Sequence, residues 1–380
     1  MSPEEPKLDL ESSSNEARQP NPPPPPTSSS PPEETLLAWT QVLCMHLVCF
    51  NTWGICNSFG TFQQYYTSTS TISWIGGLQT SLLFFIGVIA GRATDAGYSY
   101  RTFTLGVALQ LLGIFTTSVC STFWQILLAQ GVCVGLGNGF TFTSGLAVMS
   151  PYFMRKRAFV VGVGAAGSAV GGMWGFGWTM RVMGFIMLVT QVPCIFLFKP
   201  RLAPRRSGPL VDWSAFREKP FVFFTLSWDR VGVESTVDLI MVLNGVVGDR
   251  WTGILNILIP LCFAAAVLMF CWAAVTSEGG LYAFAAVYEV VAAALQSNFP
   301  AVATTMTPDL QKTGTRLGMI MSVVGIPCLV SPAVQGALIQ RDGGEYLYAQ
   351  VFAAACILVG AVAPVGVRVA KTGWVFKARA

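Results

Sequence analysis

Charge is the first thing this 380-residue chain lacks. Only 11% of it is Asp, Glu, Lys or Arg, against about 25% in an ordinary soluble domain. Nine of these charges crowd into residues 1–35. None occurs from Leu36 to Gly91, and none from Thr102 to Met154. So few hydrated groups cannot cover a surface that faces water, whereas lipid demands such a surface. A soluble enzyme, a secreted disulfide scaffold and a nucleic-acid binder are excluded as the main reading. Catalytic patterns are missing as well: there is no HExxH, no GxSxG and no cluster of Asp, which excludes a membrane-embedded enzyme. The ten cysteines contain no CxxC and all fall in apolar runs, where they read as small hydrophobic packers. No metal and no cofactor is expected.

What is present is apolar length. Residues 1–35 hold Pro22 to Pro26, the Ser28–Ser30 run and almost no aliphatic side chains, so they read as a disordered tail. Such tails can dock SH3-like partners, but a plain solvated tail is the first reading, and its partners stay unknown. It does not resemble a signal peptide, because the apolar stretch comes too late after an acidic start. Segments of bilayer-crossing length follow near 38–62, 74–90, 102–121, 124–148, 158–178, 182–198, 221–229, 235–248, 252–275, 279–300, 317–339 and 346–367. With twelve crossings and the tail in the cytoplasm, 18 basic residues fall in inside loops and only Arg181, Arg230 and Arg341 outside. That asymmetry fits the positive-inside rule. The expected organisation is a helical bundle over 36–198, a cytoplasmic loop over 199–220, a second bundle over 221–370 and a cytoplasmic end over 371–380. Residues 221–248 must cross twice in 28 residues, where two spans need about 40. A truncated seventh segment resolves this, as two half-spans or a re-entrant hairpin.

The turn after the second segment reads Gly91-Arg92-Ala93-Thr94-Asp95-Ala96-Gly97-Tyr98-Ser99-Tyr100-Arg101. Glycines permit a tight turn, and Asp95 between two arginines can latch neighbouring helix ends across the rim. This GRxxDxGxxxR pattern resembles the signature loop of the major facilitator superfamily. Further stretches resemble its monocarboxylate-transporter-like branch, the fungal members in particular. They are Asn57-Ser58-Phe59-Gly60-Thr61-Phe62, Ile72-Ser73-Trp74-Ile75-Gly76, Gln130-Gly131 through Gly135-Leu136-Gly137, and Tyr152-Phe153 with Arg155-Lys156-Arg157-Ala158. Gly164, Gly167, Gly171 and Gly172 continue the pattern, and Thr307-Pro308-Asp309 with Gly314-Thr315-Arg316-Leu317-Gly318 matches the entry to segment eleven. The resemblance implies an all-α polytopic carrier with two six-helix halves, shortened around segments five and seven/eight. It also implies a small organic solute, a monocarboxylate or related metabolite, moved by alternating access with coupled protons. A multi-pass protein of the plasma membrane with both termini cytoplasmic is expected. The cytoplasmic gate is assigned to Gly91, Arg92, Asp95, Arg101 and Arg316.

Departures from the family pattern matter too. Where the carboxylate carriers place a lysine before the Ser-Phe-Gly stretch, this chain has Asn57, and a fixed cation for a carboxylate is missing there. The letters Gly162-Val163-Gly164-Ala165-Ala166-Gly167 fit a dinucleotide fingerprint, but they follow a basic loop inside an apolar helix and carry no cofactor. Gly131, Gly135 and Gly139, and Gly167 with Gly171, mark faces where helices approach closely. Polar residues at depth are costly and usually face a cavity. Glu289, in segment ten, is the candidate for proton coupling, against a structural carboxylate. Asn57, Asn51, Asn138 and Asn298 are candidates for the solute path, against helix–helix hydrogen bonding; His46 and Gln296 are weaker candidates of the same kind. Trp53, Trp74, Trp124 and Trp251 read as packing or interfacial anchors. The shortened 221–248 region keeps a second reading open, a non-transporting sensor or a defective relative.

Overall fold

The structure, a computed structural model, describes residues 35–63, 69–153, 156, 159–160, 163, 176–202, 204–205, 208–222, 254–307, 309–343 and 345–373. Every regular element among them is helical. Where no water reaches the backbone, a helix satisfies each N–H and C=O within its own segment. The charge-poor runs accordingly become α1 (Leu36–Gln63), α2 (Thr69–Phe85), α3 (Gly87–Ala93), α4 (Ser99–Thr117), α5 (Phe123–Ile126) and α6 (Gly135–Met149). They continue as α7 (Phe176–Leu197), α8 (Ile254–Trp272), α9 (Glu278–Thr305), α10 (Thr313–Arg341) and α11 (Leu347–Thr372). Among the described residues, seven stretches are long and apolar enough to cross a membrane. One of them, Trp74–Thr117, runs out and back through 44 residues. The expected segments five, seven and eight, with the short 221–248 region, lie outside the described residues or almost wholly so.

Two of the breaks are only nominal. Ile86 donates to Leu82 O (3.1 Å) and Ala90 to Ile86 O (2.9 Å), so α2 and α3 form one rod. Between α5 and α6 a wide helical stretch, Leu127–Val134, keeps the chain helical. The real turn is Thr94–Tyr98, where Gly97 adopts φ +92°, a conformation open to glycine and strained for other residues. Gly91, expected in that turn, lies instead inside α3 and is buried. Its missing side chain serves packing rather than turning.

Within the first half, α4 lies against α6 and α6 against α2. A Cβ on Gly137 would meet Gln110 N at 2.7 Å, and one on Gly135 would meet Gln79 O at 2.9 Å. Gly139 is closed in as tightly, by Ile86 and Leu83, while Gly131 has ordinary contacts. Small residues at these points let backbones approach closely. In the second half, α8 packs on α9 and α11. The halves meet where α10 lies along α2 and α3. A common apolar core runs through both, from Val48, Phe103 and Leu146 to Leu258, Leu295 and Ile320.

Candidate functional site

The contact between the halves is built from two short glycine repeats. Gly87 and Gly91 on α3 face Gly318 and Gly314 on α10, four residues apart in each case. A Cβ on Gly91 would overlap the Gly314 carbonyl, and one on Gly318 the Gly87 carbonyl. Backbone therefore lies directly on backbone. Further along, a Cβ on Gly325 would meet Phe85 at 2.7 Å and Ser81 O at 3.0 Å, whereas Gly77 has ordinary spacing of 3.5 Å to Cys328 O. The seam is tightest at the Asp95 end and relaxes away from it. Two hydroxyls cross it: Ser81 donates to Gly325 O (2.8 Å) and Ser322 to Phe85 O (2.9 Å).

Asp95 closes the tight end. Its Oδ1 accepts from Gly314 N (3.0 Å), and its Oδ2 accepts from Thr315 N and Thr315 Oγ1 (2.7 Å each). The first turn of a helix has N–H groups with no partner inside the helix, so a carboxylate of one half caps a helix of the other. Thr94 holds the turn in place by donating to Ala90 O (2.8 Å) and Ser144 Oγ (3.0 Å).

An ion cluster lies beside this cap. Arg316 is 3% exposed and donates to both oxygens of Glu218 (2.9 and 2.7 Å). Its Nε reaches Asp212 Oδ2 at 3.3 Å, and Lys312 Nζ reaches the same oxygen at 3.2 Å. Burial alone would push the Asp212 carboxyl up, but the Ser214 hydroxyl, Lys312 and Arg316 outweigh it and hold it down at about 2. Arg92 takes a different course, donating to Arg205 O (3.2 Å) and Gly208 O (3.0 Å). Arg101 is exposed and stacks over Tyr98, 5.7 Å from the ring centre, away from the seam. The structure thus gathers Gly91, Asp95 and Arg316 at one end of the seam, with Arg92 beside them and Arg101 apart.

The candidate path residues divide differently. Asn51 is buried, donating to Leu47 O (2.7 Å) and Thr190 Oγ1 (2.8 Å). Asn138 accepts from Gln110 Nε2 (2.6 Å), and Gln110 Oε1 accepts from Gln191 (3.2 Å). That amide row joins α4, α6 and α7 inside the first half. Asn298 is buried with no partner for its Nδ2. The side chains of Asn57, Glu289 and Gln296, and Trp251 as a whole, fall outside the described residues. His46 Nδ1 lies 2.7 Å from Val163 O. Trp53 packs on Phe84 and Phe142, while Trp74 and Trp124 are exposed. Sequence reasoning did not single out Gln110, Gln191, Asp212 or Glu218. Asp212 and Glu218 carried one available signal, as acids in a strongly basic loop.

No protein-family model matches the sequence. An "MFS-type transporter" of Gibberella zeae is 35% identical, over 85% of this chain and 84% of that protein. The chain belongs to the major facilitator superfamily. Members of this family are carriers rather than enzymes, and this one is a multi-pass membrane protein. It is also 29% identical to the "Aspyridones efflux protein apdF" of Emericella nidulans, over 87% of this chain and 77% of that protein. The crystal structure of the human organic anion transporter MFSD10 (TETRAN) superposes with a TM-score of 0.64, covering 88% of this chain and all of that one. At 12% identity this last likeness shows the fold of the superfamily member alone.

Proposed function

We propose that this major facilitator protein moves a small organic metabolite across a membrane by alternating access, in a conformation closed at the Asp95 end. The observation that carries the reading is the seam: two helices in backbone contact at one end, sealed by a carboxylate of one half on a helix start of the other. Burial along α9 supports it. Leu281, Tyr282 and Val287 are exposed, whereas Leu295, Ala301, Val302 and Ala303 are buried. A helix that is covered at one end and bare at the other suits halves that part away from the seam. The distribution of basic residues supports a cytoplasmic Asp95 end and cytoplasmic termini, and the plasma membrane is the proposed location.

The proposed solute is a monocarboxylate or a related metabolite, moved with protons. The relative named as an efflux protein supports export as the direction. Glu289 is the proposed proton carrier, since a carboxyl in a low-dielectric span binds a proton more readily, and Asn57 the proposed solute contact. Proteoliposomes loaded with a panel of labelled monocarboxylates and neutral organic metabolites test this. A pH gradient should drive flux of at least one of them, and Glu289→Gln should abolish the driven part; unchanged driven flux removes Glu289 from the role. The 28 residues available for segments seven and eight favour a second reading, a sensor that binds without flux. Saturable binding with no movement of label identifies it.

A further inference from the structure

The residues joining the halves do more than connect them. From Lys199 to Gly208 the chain is fastened to the first half. Tyr152 donates to Lys199 O (2.9 Å), Arg201 to Pro151 O, and Arg205 N to Asp95 O (2.6 Å). Arg92 holds the carbonyls of Arg205 and Gly208. From Asp212 to Glu218 the chain is fastened to the second half, through Asp212 N on Met319 Sδ (3.3 Å) and the cluster of Asp212 and Glu218 on Lys312 and Arg316. Only Pro209, Leu210 and Val211 lie between the two sets of anchors. Fully extended, they let the Cα atoms of Gly208 and Asp212 part by about 14 Å.

We propose that this short link is a tether that limits opening of the Asp95 end, and that Asp212 and Glu218 are positioning residues that bind it to Arg316. Opening pulls the two anchor sets apart until the slack of the link is taken up. On the first half the outermost hold, Arg92 on Gly208 O, is exposed and water replaces it at little cost, but Arg205 N on Asp95 O and Tyr152 on Lys199 O stand behind it. On the second half the hold is Arg316, which is buried and would be left a stranded charge without its carboxylates. Weakening that hold frees the link from α10. The inference rests on the alternating-access reading, but its test needs no solute.

Met321 supplies the reporter. Its Cβ lies 3.2 Å from the place a Gly87 Cβ would occupy, and the residue is fully buried in the seam. With Met321→Cys in place, labelling by a water-soluble maleimide in membranes, mapped by peptide mass, reads opening of this end. Glu218→Gln should raise the labelling rate about tenfold, and Glu218→Asp should raise it less. Inserting four Gly/Ser residues between the exposed Pro209 and Leu210 leaves every anchor in place. It should raise labelling as well, because only the slack has changed. Unaltered labelling on insertion overturns the tether. Unaltered labelling in Glu218→Gln overturns the positioning role. A solute assay without flux, beside these labelling changes, would count against the transport reading alone.

Discussion

The contact between α4 and α6 and the contact between α3 and α10 use the same device and serve opposite ends. Both rest on glycines that bring backbones together. Inside the first half the approach is locked by amides: Gln110 bonds Asn138 and Thr141 and accepts from Gln191, all fully buried. Separating those helices would leave amide groups unpaired in lipid, each at a cost of about 1–3 kcal/mol. Between the halves no side-chain amide of this kind crosses among the described residues. The bridging groups at depth are the hydroxyls of Ser81 and Ser322, which can turn back to a carbonyl one turn earlier in their own helix. The charged group that crosses, Asp95, sits half-buried at the rim. On the alternating-access proposal, a contact that parts keeps its charged hydrogen bonds at the rim, whereas a permanent one buries its amides.

That contrast can be broken at either contact. The largest effect is expected from Gln110→Leu, which strands Asn138 Oδ1 and Gln191 Nε2 in the first half. Thermal unfolding in detergent should show a loss of about 3 kcal/mol, with Met321→Cys labelling at its unaltered rate. Gly318→Leu should do the reverse. Overpacking the seam costs the closed conformation about 2 kcal/mol, roughly thirtyfold in labelling, while the melting temperature barely moves. A collapse of stability in Gly318→Leu would show that the seam is part of the fixed core. The smallest effect is a pH dependence at the rim. The Asp212 carboxyl titrates at about 2 in the folded protein, below its ordinary 3.8. A depressed carboxyl contributes stability above its unfolded value and loses it as pH falls through the folded one. The stability advantage of the wild type over Asp212→Asn should therefore be level above pH 5 and shrink from about pH 4 to pH 2.

The lipid-facing character of the chain was legible because it rests on a local property, the absence of charge over whole helix lengths. The helices found at 36–63, 99–117 and 313–341 overlie segments expected from that pattern, within a few residues at most ends. The contact of Asp95 with a neighbouring helix end was legible for a similar reason, since it is a carboxylate in a short turn beside glycine. The pairing of Gly87 and Gly91 with Gly318 and Gly314 was not, although both repeats stand in the sequence. Composition says that a residue lies in a span, but not which way that face of the helix is turned. Gln110 and Gln191 were passed over on the same ground, and Asn51 and Asn138 resolve into hydrogen-bonded positions within the first half only once the rotation of each helix is known. The acids Asp212 and Glu218 had to be separated by sign from the basic loop around them, and their partner Arg316 lies about a hundred residues away.

One feature of α10 bears on how such a contact would come undone on the alternating-access proposal. Pro327 and Pro332 follow Gly325 within the helix, and neither can donate to the residue four positions earlier. Two rungs are therefore missing just where the close packing ends. A rod weakened there bends more readily than it slides, so the thirteen residues from Thr313 to Gly325 can lift from α3 in sequence, like adhesive tape raised from one corner. Peeling breaks a few contacts at a time, whereas shearing would demand that all of them yield together.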